Sequence, residues 1–252
     1  RRRRRFFKVI WKGQAIKLRD GKLLLPNGKG NEPYSMSWRW DKPKQVEIGW
    51  NGKGYELRAT YVTVVESRIK GDGIAALDLG EIHPATTFDG TESVIYNGRL
   101  LRSKRQYQNK LKASLTSKID TVKKGSRRWR KLVRSKNKHL ARIQNQIRDI
   151  EHKQSRALVS TLLNAGMQTL VIGDVRDIRQ GLDYGHGVNQ KLHQWSHGSF
   201  RHRITYKWEM LGGKVVLQDE AYTSSTCPKC GDRHKPRGRT FKCRCGFDTH
   251  RD

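Results

Sequence analysis

The stretch GIAALDLG, residues 73–80, is an apolar run that closes on an acid and a glycine. An apolar run of this length is typical of a strand buried in a central sheet. QTLVIGDV, residues 168–175, repeats the pattern, and GGKVVLQDE, residues 212–220, predicts a third strand. Because helical segments are predicted between these runs, their order indicates an α/β layer with acids at one edge of its sheet.

The region between the first two strands predicts a basic helical hairpin. Apolar residues from Leu132 to Leu162 recur at three- and four-residue steps, and KKGS, residues 123–126, predicts a turn between two long helices. Residues 101–150 hold 17 lysines and arginines but only two acids, so they carry +15 of the formal net charge of +30. A solvated face is the ordinary explanation of a charge run, but so few balancing acids favour contacts with nucleic-acid phosphates. The predicted contact residues are Lys123, Lys124, Arg127, Arg128, Trp129, Arg130, Lys131 and Arg134.

Residues 6–66 predict a small antiparallel β domain. Segments such as FFKVIWKG and QVEIGWNGKG alternate apolar and polar side chains and are separated by DG, NG and GKG turns. Residues 186–212 have a helical pattern, and no apolar run is long enough to cross a membrane. The chain therefore combines a β-rich start with an α/β body, and no membrane partner is expected.

All four cysteines lie within 19 residues near the end of the sequence. Their spacing, C-x2-C, then twelve residues, then C-x-C, is close to that of a zinc ribbon, in which two short turns each present two thiolates. Gly231 and Gly246 follow the two pairs, where such turns need a left-handed residue. We therefore expect a structural Zn²⁺ ion and a reducing intracellular setting. The predicted ligands are Cys227, Cys230, Cys243 and Cys245.

Acids end the predicted strands, and we expect them to meet at one edge of the sheet. Asp78 ends the first run, Asp174 the second and Glu220 the third, while Asp252 follows the cysteines. Each acid taken singly is explained as a turn or cap residue. Three or four carboxylates at one place repel one another unless divalent cations neutralise their charge. Such a group of carboxylates suits two Mg²⁺ ions acting on a phosphodiester.

These segments together resemble the TnpB family, which consists of transposon-encoded, RNA-guided nucleases related to the type V CRISPR effectors. The resemblance covers about residues 73–252 and depends on several segments in the family's order. These are ALDLGEIHPATTFDG, the basic GSRRWRKL, LVIGDV, NQKLHQWSHGSFRHRI, and EAYTSSTCPKCG with FKCRCGFDTHRD. The β-rich start resembles the family's wedge domain.

The resemblance implies a RuvC domain, which is an RNase H-like mixed sheet with an inserted basic helical hairpin and a zinc ribbon. A small β-barrel wedge domain would precede it. The expected boundaries are 1–70 for a partial wedge-like domain, 71–220 for the RuvC-like domain with its hairpin at about 101–165, and 221–248 for the zinc ribbon. Residues 249–252 would begin the last RuvC segment.

The family's metal-binding carboxylates are only partly matched here. Asp78 matches the first RuvC aspartate, and Asp252 in HRD matches the last. Gly173 stands where the family usually has its second acid, a glutamate, with Asp174 beside it. We expect Glu220 to supply the missing carboxylate, with Asp174 as an alternative and an inactive site as the remaining one.

The resemblance implies Mg²⁺-dependent cleavage of DNA that is selected by pairing with a guide RNA. Guide RNA and target DNA are therefore the expected partners, with one copy of the chain or a homodimer on the RNA, in the cytoplasm or on the nucleoid. The first alternative is an inactive RNA-guided protein that acts by occupying its target. The second is a basic zinc-ribbon protein that binds RNA, which leaves the strand-end acids without a role.

Overall fold

The structure is a computed structural model that describes residues 7–51, 54–176, 181, 183–234 and 240–250. They fall into two compact units, one drawn from Arg1–Val64 and Gln108–Asn145, the other from Val65–Tyr107 and Gln146–Asp252. Within the described ranges, no helix is both long enough and apolar enough to cross a bilayer.

The chain begins with two three-stranded antiparallel sheets. The first has the order β1-β5-β6 and the second β2-β3-β4. Apolar alternation buries the side chains of Trp11, Ile16, Leu23, Leu25 and Val46 in one core. The predicted β-rich start is thus present, while its assignment as a wedge barrel stays a prediction. The strands are β1 (Val9–Lys12), β2 (Lys17–Arg19), β3 (Lys22–Leu25), β4 (Tyr34–Ser37), β5 (Gln45–Trp50) and β6 (Tyr55–Thr60).

The second unit contains a five-stranded mixed sheet of order β11-β10-β7-β8-β9, which confirms the predicted mixed α/β class. The three predicted apolar runs form parallel strands, the third of them at one edge of the sheet, and each of the two remaining strands is antiparallel to the strand before it. The strands are β7 (Gly73–Asp78), β8 (Ala85–Phe88), β9 (Ser93–Tyr96), β10 (Met167–Asp174) and β11 (Lys214–Asp219).

A long helical hairpin follows β9, as the sequence predicts. Helix α1 (Arg99–Asp120) and helix α2 (Arg127–Asn164) are joined at Gly125, whose φ of 84° requires a left-handed residue. The Ser126 hydroxyl accepts a hydrogen bond from the Trp129 N–H at 3.1 Å and caps α2. Two further helices, α3 (His186–Gln194) and α4 (His197–Glu209), lie between β10 and β11.

One face of the five-stranded sheet is covered by helices. Leu77 and Ile172 point into a core formed with side chains of α2 and α4, including Leu158, Ile204 and Trp208. Strand residues alternate between faces, so Asp78, which follows Leu77, points to the other, exposed face.

A buried ion network joins helices α1, α2 and α4 beside this core. The Glu151 side chain is only 3% exposed, and its carboxylate forms ion pairs with the guanidinium groups of Arg105 and Arg203, each at 3.1 Å. The Ser196 hydroxyl donates to the same carboxylate at 2.5 Å. Because a buried carboxylate needs such partners, this network fixes α4 against the hairpin.

The last described element is a two-stranded antiparallel ribbon of β12 (Thr240–Lys242) and β13 (Asp248–His250). Phe241 is its buried apolar residue, and its ring centroid lies 4.6 Å from that of the His234 imidazole, with the two planes tilted by 37°. Such a small ribbon buries too little apolar surface to be stable alone, so it needs a further link.

Candidate functional site

The ends of three parallel strands bring the predicted acids to one edge of the sheet. Leu77 of β7 pairs with Ile172 of β10, so Asp78 and Gly173 follow side by side. Gly173 pairs in turn with Gln218 of β11, and Glu220 comes two residues later. Since side chains alternate, residues 78, 173 and 218 share the exposed face of the sheet.

The Glu220 side chain lies directly over Gly173. A methyl carbon added to Gly173 would overlap Glu220 Oε1 and would lie 2.6 Å from Cδ and 2.9 Å from Cγ. A side chain at position 173 would therefore require the Glu220 carboxylate to move. The Glu220 carboxylate therefore fills the space in which a side chain at position 173 would begin.

The environment of Glu220 disfavours its negative charge. Burial raises the pKa of the Glu220 carboxyl, and the charges of Asp78, Asp174 and Asp219 raise that pKa further. A half-buried carboxylate near other acids is the kind of oxygen ligand that a divalent cation relieves of repulsion. Asp78 and Glu220 thus offer oxygen donors of the type that Mg²⁺ prefers.

Asp174 faces the other side of the sheet. Its carboxylate accepts from Arg176 at 2.7 Å and from Arg201 of α4 at 3.1 Å. The hydrogen bond from Arg176 is the main cause that holds the pKa of Asp174 below its usual value. Asp174 therefore already has two guanidinium partners, which suits an anchor of β10 better than a metal ligand.

The turn after Glu220 is held by hydroxyl groups. Thr223 Oγ1 donates to the Glu220 carbonyl at 2.9 Å, while Ser225 Oγ and Thr226 Oγ1 donate to the Tyr222 carbonyl at 3.0 and 2.9 Å. Side chains of this kind cap turns by bonding the local backbone. The TSST segment thus fixes the backbone of Glu220 where the chain enters the ribbon.

The four cysteines come together as the spacing predicts. Their sulfur atoms lie within 4.8 Å of one another, and the closest pairs are Cys227 with Cys245 at 3.6 Å and Cys230 with Cys243 at 3.5 Å. No other set of three or more such ligand side chains is found within the described ranges. Four converging thiols could hold one tetrahedral Zn²⁺ ion and leave no open position.

The two turns that carry the cysteines have the expected geometry. Gly231 and Gly246 have φ angles of 78° and 85°, in the left-handed region. Although burial raises the pKa of the Cys227 thiol, backbone hydrogen bonds from Cys230 and Lys229 lower it to about 6. The backbone around Cys227 therefore favours its thiolate, which is the form that binds zinc. At Cys230 a backbone hydrogen bond from Asp232 lowers the pKa of the thiol, but the hydrogen bond with Cys243 and burial raise that pKa to about 12.

The remaining predicted site residues lie either on the basic hairpin or outside the described residues. Asp252, the predicted third carboxylate, lies outside them. The seven basic residues of the hairpin turn and early α2 are exposed, and Trp129 is half-buried. Sequence reasoning missed Arg201, because nothing in the α4 segment marks it as a partner of Asp174.

The raised pKa of Glu220 predicts a pH-dependent stability. The pKa of Glu220 is higher in the folded protein than in the unfolded chain, where it is near 4.5. The protonated carboxyl therefore contributes fully to the free energy of unfolding below pH 4.5, and this contribution is lost as pH rises through the folded pKa. Without Mg²⁺, Glu220→Gln should therefore raise the thermal midpoint above that of the wild type, increasingly from pH 5 to 8. A gain of about 1 kcal/mol corresponds to roughly 2–4 °C in a chain of this size.

Thermal unfolding with and without Mg²⁺ measures this effect. Mg²⁺ should stabilise the wild type more as pH rises and should stabilise the glutamine variant little. Glu209→Gln, at the exposed end of α4, controls for the loss of one negative charge. If the thermal midpoints of the wild type and of Glu220→Gln differ by the same amount from pH 5 to 8, the prediction is wrong.

Comparisons with known proteins agree with this architecture. Residues 59–179 match the family described as a probable transposase, OrfB_IS605, and residues 197–252 match the Cas12f1-like TNB domain. A segment of 105 residues is 34% identical to the CRISPR-associated endodeoxyribonuclease Cas12f1 of Sulfoacidibacillus thermotolerans, covering 40% of this chain and 24% of that protein. A TnpB-like protein of Methanocaldococcus jannaschii is 29% identical over 186 residues, 71% of this chain and 65% of the relative. The chain thus spans less than two thirds of either relative.

Solved structures show the same fold. A Cas12f1–sgRNA–target DNA complex superposes with a TM-score of 0.56 at 13% identity over 81% of this chain and 43% of that one. A CRISPR-Cas12f ternary complex gives a TM-score of 0.56 at 12% identity over 98% of this chain and 62% of that one. Together with the two family-model matches and the TnpB-like relative, these structures confirm the resemblance to the TnpB family that the sequence predicts.

Proposed function

We propose that this chain acts as an RNA-guided DNA endonuclease of TnpB type, in the cytoplasm and on nucleoid DNA. Its metal-binding carboxylates would be Asp78, Glu220 and Asp252. The observation that carries the proposal is the Glu220 carboxylate over Gly173, the position at which the resemblance to the TnpB family implies a glutamate. The names of its relatives, an endodeoxyribonuclease and a TnpB-like protein, support the same activity.

The carboxylates would hold two Mg²⁺ ions, which would activate water at the phosphodiester and stabilise the leaving oxygen. Asp78 is fixed at the end of a central strand, and Glu220 is fixed by the hydrogen-bonded turn that follows it. Asp174 holds the end of β10 against α4 through Arg201, so it positions the strand beneath Glu220. Zn²⁺ on the four cysteines would have a structural role only.

Two observations bear on the alternatives. An inactive protein that only occupies its target has no need of the close approach between Glu220 and Gly173. A simple RNA-binding protein has no need of a half-buried acid whose pKa is raised by neighbouring acids. Such arrangements are commonest at functional sites. Nuclease activity explains both the position of Glu220 over Gly173 and its raised pKa, because both suit a carboxylate that binds a metal ion.

The basic hairpin is the proposed binding surface for the backbone of the guide RNA and of its duplex with target DNA. Residues 121–148 contain 11 lysines and arginines and no acid. Contacts of this kind recognise a heteroduplex by its backbone and not by its sequence.

Neutralising four of these charges should weaken RNA binding and its salt dependence. For Arg127, Arg128, Arg130 and Lys131 changed to glutamine, the slope of log affinity against log salt should fall by roughly 3 to 4. Anisotropy titrations of a labelled guide RNA between 50 and 200 mM salt would measure it. The control neutralises Lys12, Lys17, Lys22 and Lys29, which are exposed on the first β domain. Equal losses in both variants would assign the binding to net charge and not to the hairpin.

Cleavage of a labelled DNA target by the full chain with its guide RNA and Mg²⁺ tests the proposed function. We expect cutting that requires both guide complementarity and Mg²⁺. Guide-dependent binding without cutting would establish the target-occupying alternative. RNA binding with no guided DNA binding would establish the RNA-binding alternative.

A further inference from the structure

An exposed aromatic side chain stands beside the proposed catalytic edge. Tyr222 lies two residues after Glu220, and 64% of its surface is exposed. Its φ is 64°, in the left-handed region that side chains other than glycine rarely adopt. Apart from Asp20 in a β-hairpin turn, no other such non-glycine residue occurs in the described part of the chain. The left-handed backbone costs free energy, and a side chain that buries little surface offsets little of that cost. A residue kept in such a conformation points to a role in binding.

The backbone around Tyr222 is firmly held in this conformation. The Tyr222 carbonyl accepts hydrogen bonds from the Ser225 N–H at 2.9 Å and from the hydroxyls of Ser225 and Thr226. The Glu220 carbonyl accepts from Thr223 on the same turn. One small turn therefore sets the positions of the Glu220 carboxylate and the Tyr222 ring together.

A guanidinium group covers part of the Tyr222 ring. Arg233 Cζ lies 4.8 Å from the ring centroid, in the geometry of a cation–π pair. The backbone of Arg233 is fixed by its bridge to Thr226, and the neighbouring His234 N–H donates to the Ser225 carbonyl at 2.9 Å. Since Arg233 is also exposed, its cation and the open part of the ring form one surface.

This pair has the chemistry of a site for one unstacked nucleotide. An exposed aromatic ring stacks on nucleobases without regard to sequence, and a guanidinium binds phosphate. We propose that Tyr222 and Arg233 bind a nucleotide of single-stranded DNA next to the phosphate that is cleaved. Tyr222 stacks on its base, and Arg233 supports the ring and binds the adjoining phosphate. The proposal rests on the proposed nuclease function for its substrate, but the stacking can be measured without cleavage.

Photo-cross-linking of the wild-type chain tests the site directly. A short oligothymidylate with one 5-iodouracil, irradiated with the protein and no added Mg²⁺, should cross-link mainly to Tyr222, as mass spectrometry of the peptides would show. Tyr55, which is 70% exposed on β6, is the control tyrosine. Cross-links that are spread equally over exposed tyrosines would overturn the proposal.

Affinity measurements with variants supply the second test. Tyr222→Ala should weaken binding of an eight-nucleotide single strand by roughly 5- to 150-fold, the measured range for loss of one base–aromatic stack. Tyr222→Phe should bind like the wild type, and binding of duplex DNA should change little. Arg233→Gln should lower the salt slope by about 0.7. Unchanged zinc content establishes that the ribbon is folded.

The outcomes separate this proposal from the nuclease assignment. Wild-type affinity in Tyr222→Ala, or equal losses in the alanine and phenylalanine variants, would overturn the stacking site even if guided cleavage is observed. Conversely, stacking at Tyr222 in a chain that never cuts would leave the site valid and refute the nuclease.

Discussion

Replacing Glu220 with glutamine is expected to reduce guided, Mg²⁺-dependent DNA cleavage by at least about a hundredfold. Loss of a group that merely orients a metal ligand already costs 10–100-fold, and loss of a ligand should cost no less. Asp78→Asn should have the same effect, because Asp78 lies next to Gly173 at the same edge. Asp174→Asn should retain most cleavage, because that carboxylate faces Arg176 and Arg201. Single-turnover cleavage rates at saturating Mg²⁺ measure all three.

Moving the carboxylate from position 220 to position 173 tests the role of Glu220 more directly. In a Glu220→Ala background, Gly173→Glu places a glutamate at the family's usual position, and we expect part of the cleavage to return. Gly173→Ala alone should displace the Glu220 carboxylate and reduce cleavage, because the added methyl group would overlap Glu220 Oε1. Thermal midpoints no lower than that of the wild type and an unchanged zinc content control for folding. Cleavage that survives Glu220→Gln but not Asp174→Asn would assign the second metal ligand to Asp174.

Removal of zinc is the second change with a large expected effect. Zn²⁺ binding to four thiolates is worth on the order of 10–16 kcal/mol in zinc-finger peptides, so the ribbon should unfold without it. Cys227→Ser and Cys243→Ser should each lose the single zinc ion and make residues 226–248 sensitive to protease. Metal analysis by mass spectrometry and limited proteolysis measure the two effects.

Guided cleavage should fall with the zinc, since the same turn connects Glu220 to the ribbon. Lys229→Ala, an exposed change between Cys227 and Cys230, is the matched control and should keep both zinc and protease resistance. Full zinc occupancy in Cys243→Ser, or a protease-resistant ribbon without zinc, contradicts the structural role.

The order of strands and helices could be predicted because each element carries its own signal. The apolar runs at 73–80 and 168–175 became β7 and β10, and the KKGS interruption became the turn between α1 and α2. The cysteine site was equally predictable, because its ligands lie close in sequence and glycines mark both turns. Such local signals need no knowledge of tertiary contacts.

The arrangement of the acids was only partly predictable. Alternation along β10 already separates Gly173 from Asp174, so the opposite faces of these residues can be read from the sequence. The position of Glu220 over Gly173 depends on the register of β10 with β11, which neither segment encodes alone. The ion pair between Arg201 and Asp174 joins residues 27 positions apart and depends on how α4 packs on the sheet.

The overlap of Glu220 with the space above Gly173 also constrains how such a site can change during evolution. A side chain at position 173 must displace the Glu220 carboxylate from its place over the strand, and a chain with a carboxylate at neither position lacks the second ligand. A substitution at either position alone is therefore expected to disturb the proposed site. We expect the effects of substitutions at positions 173 and 220 to be non-additive, and we expect relatives with a functional glutamate at position 220 to keep glycine at position 173.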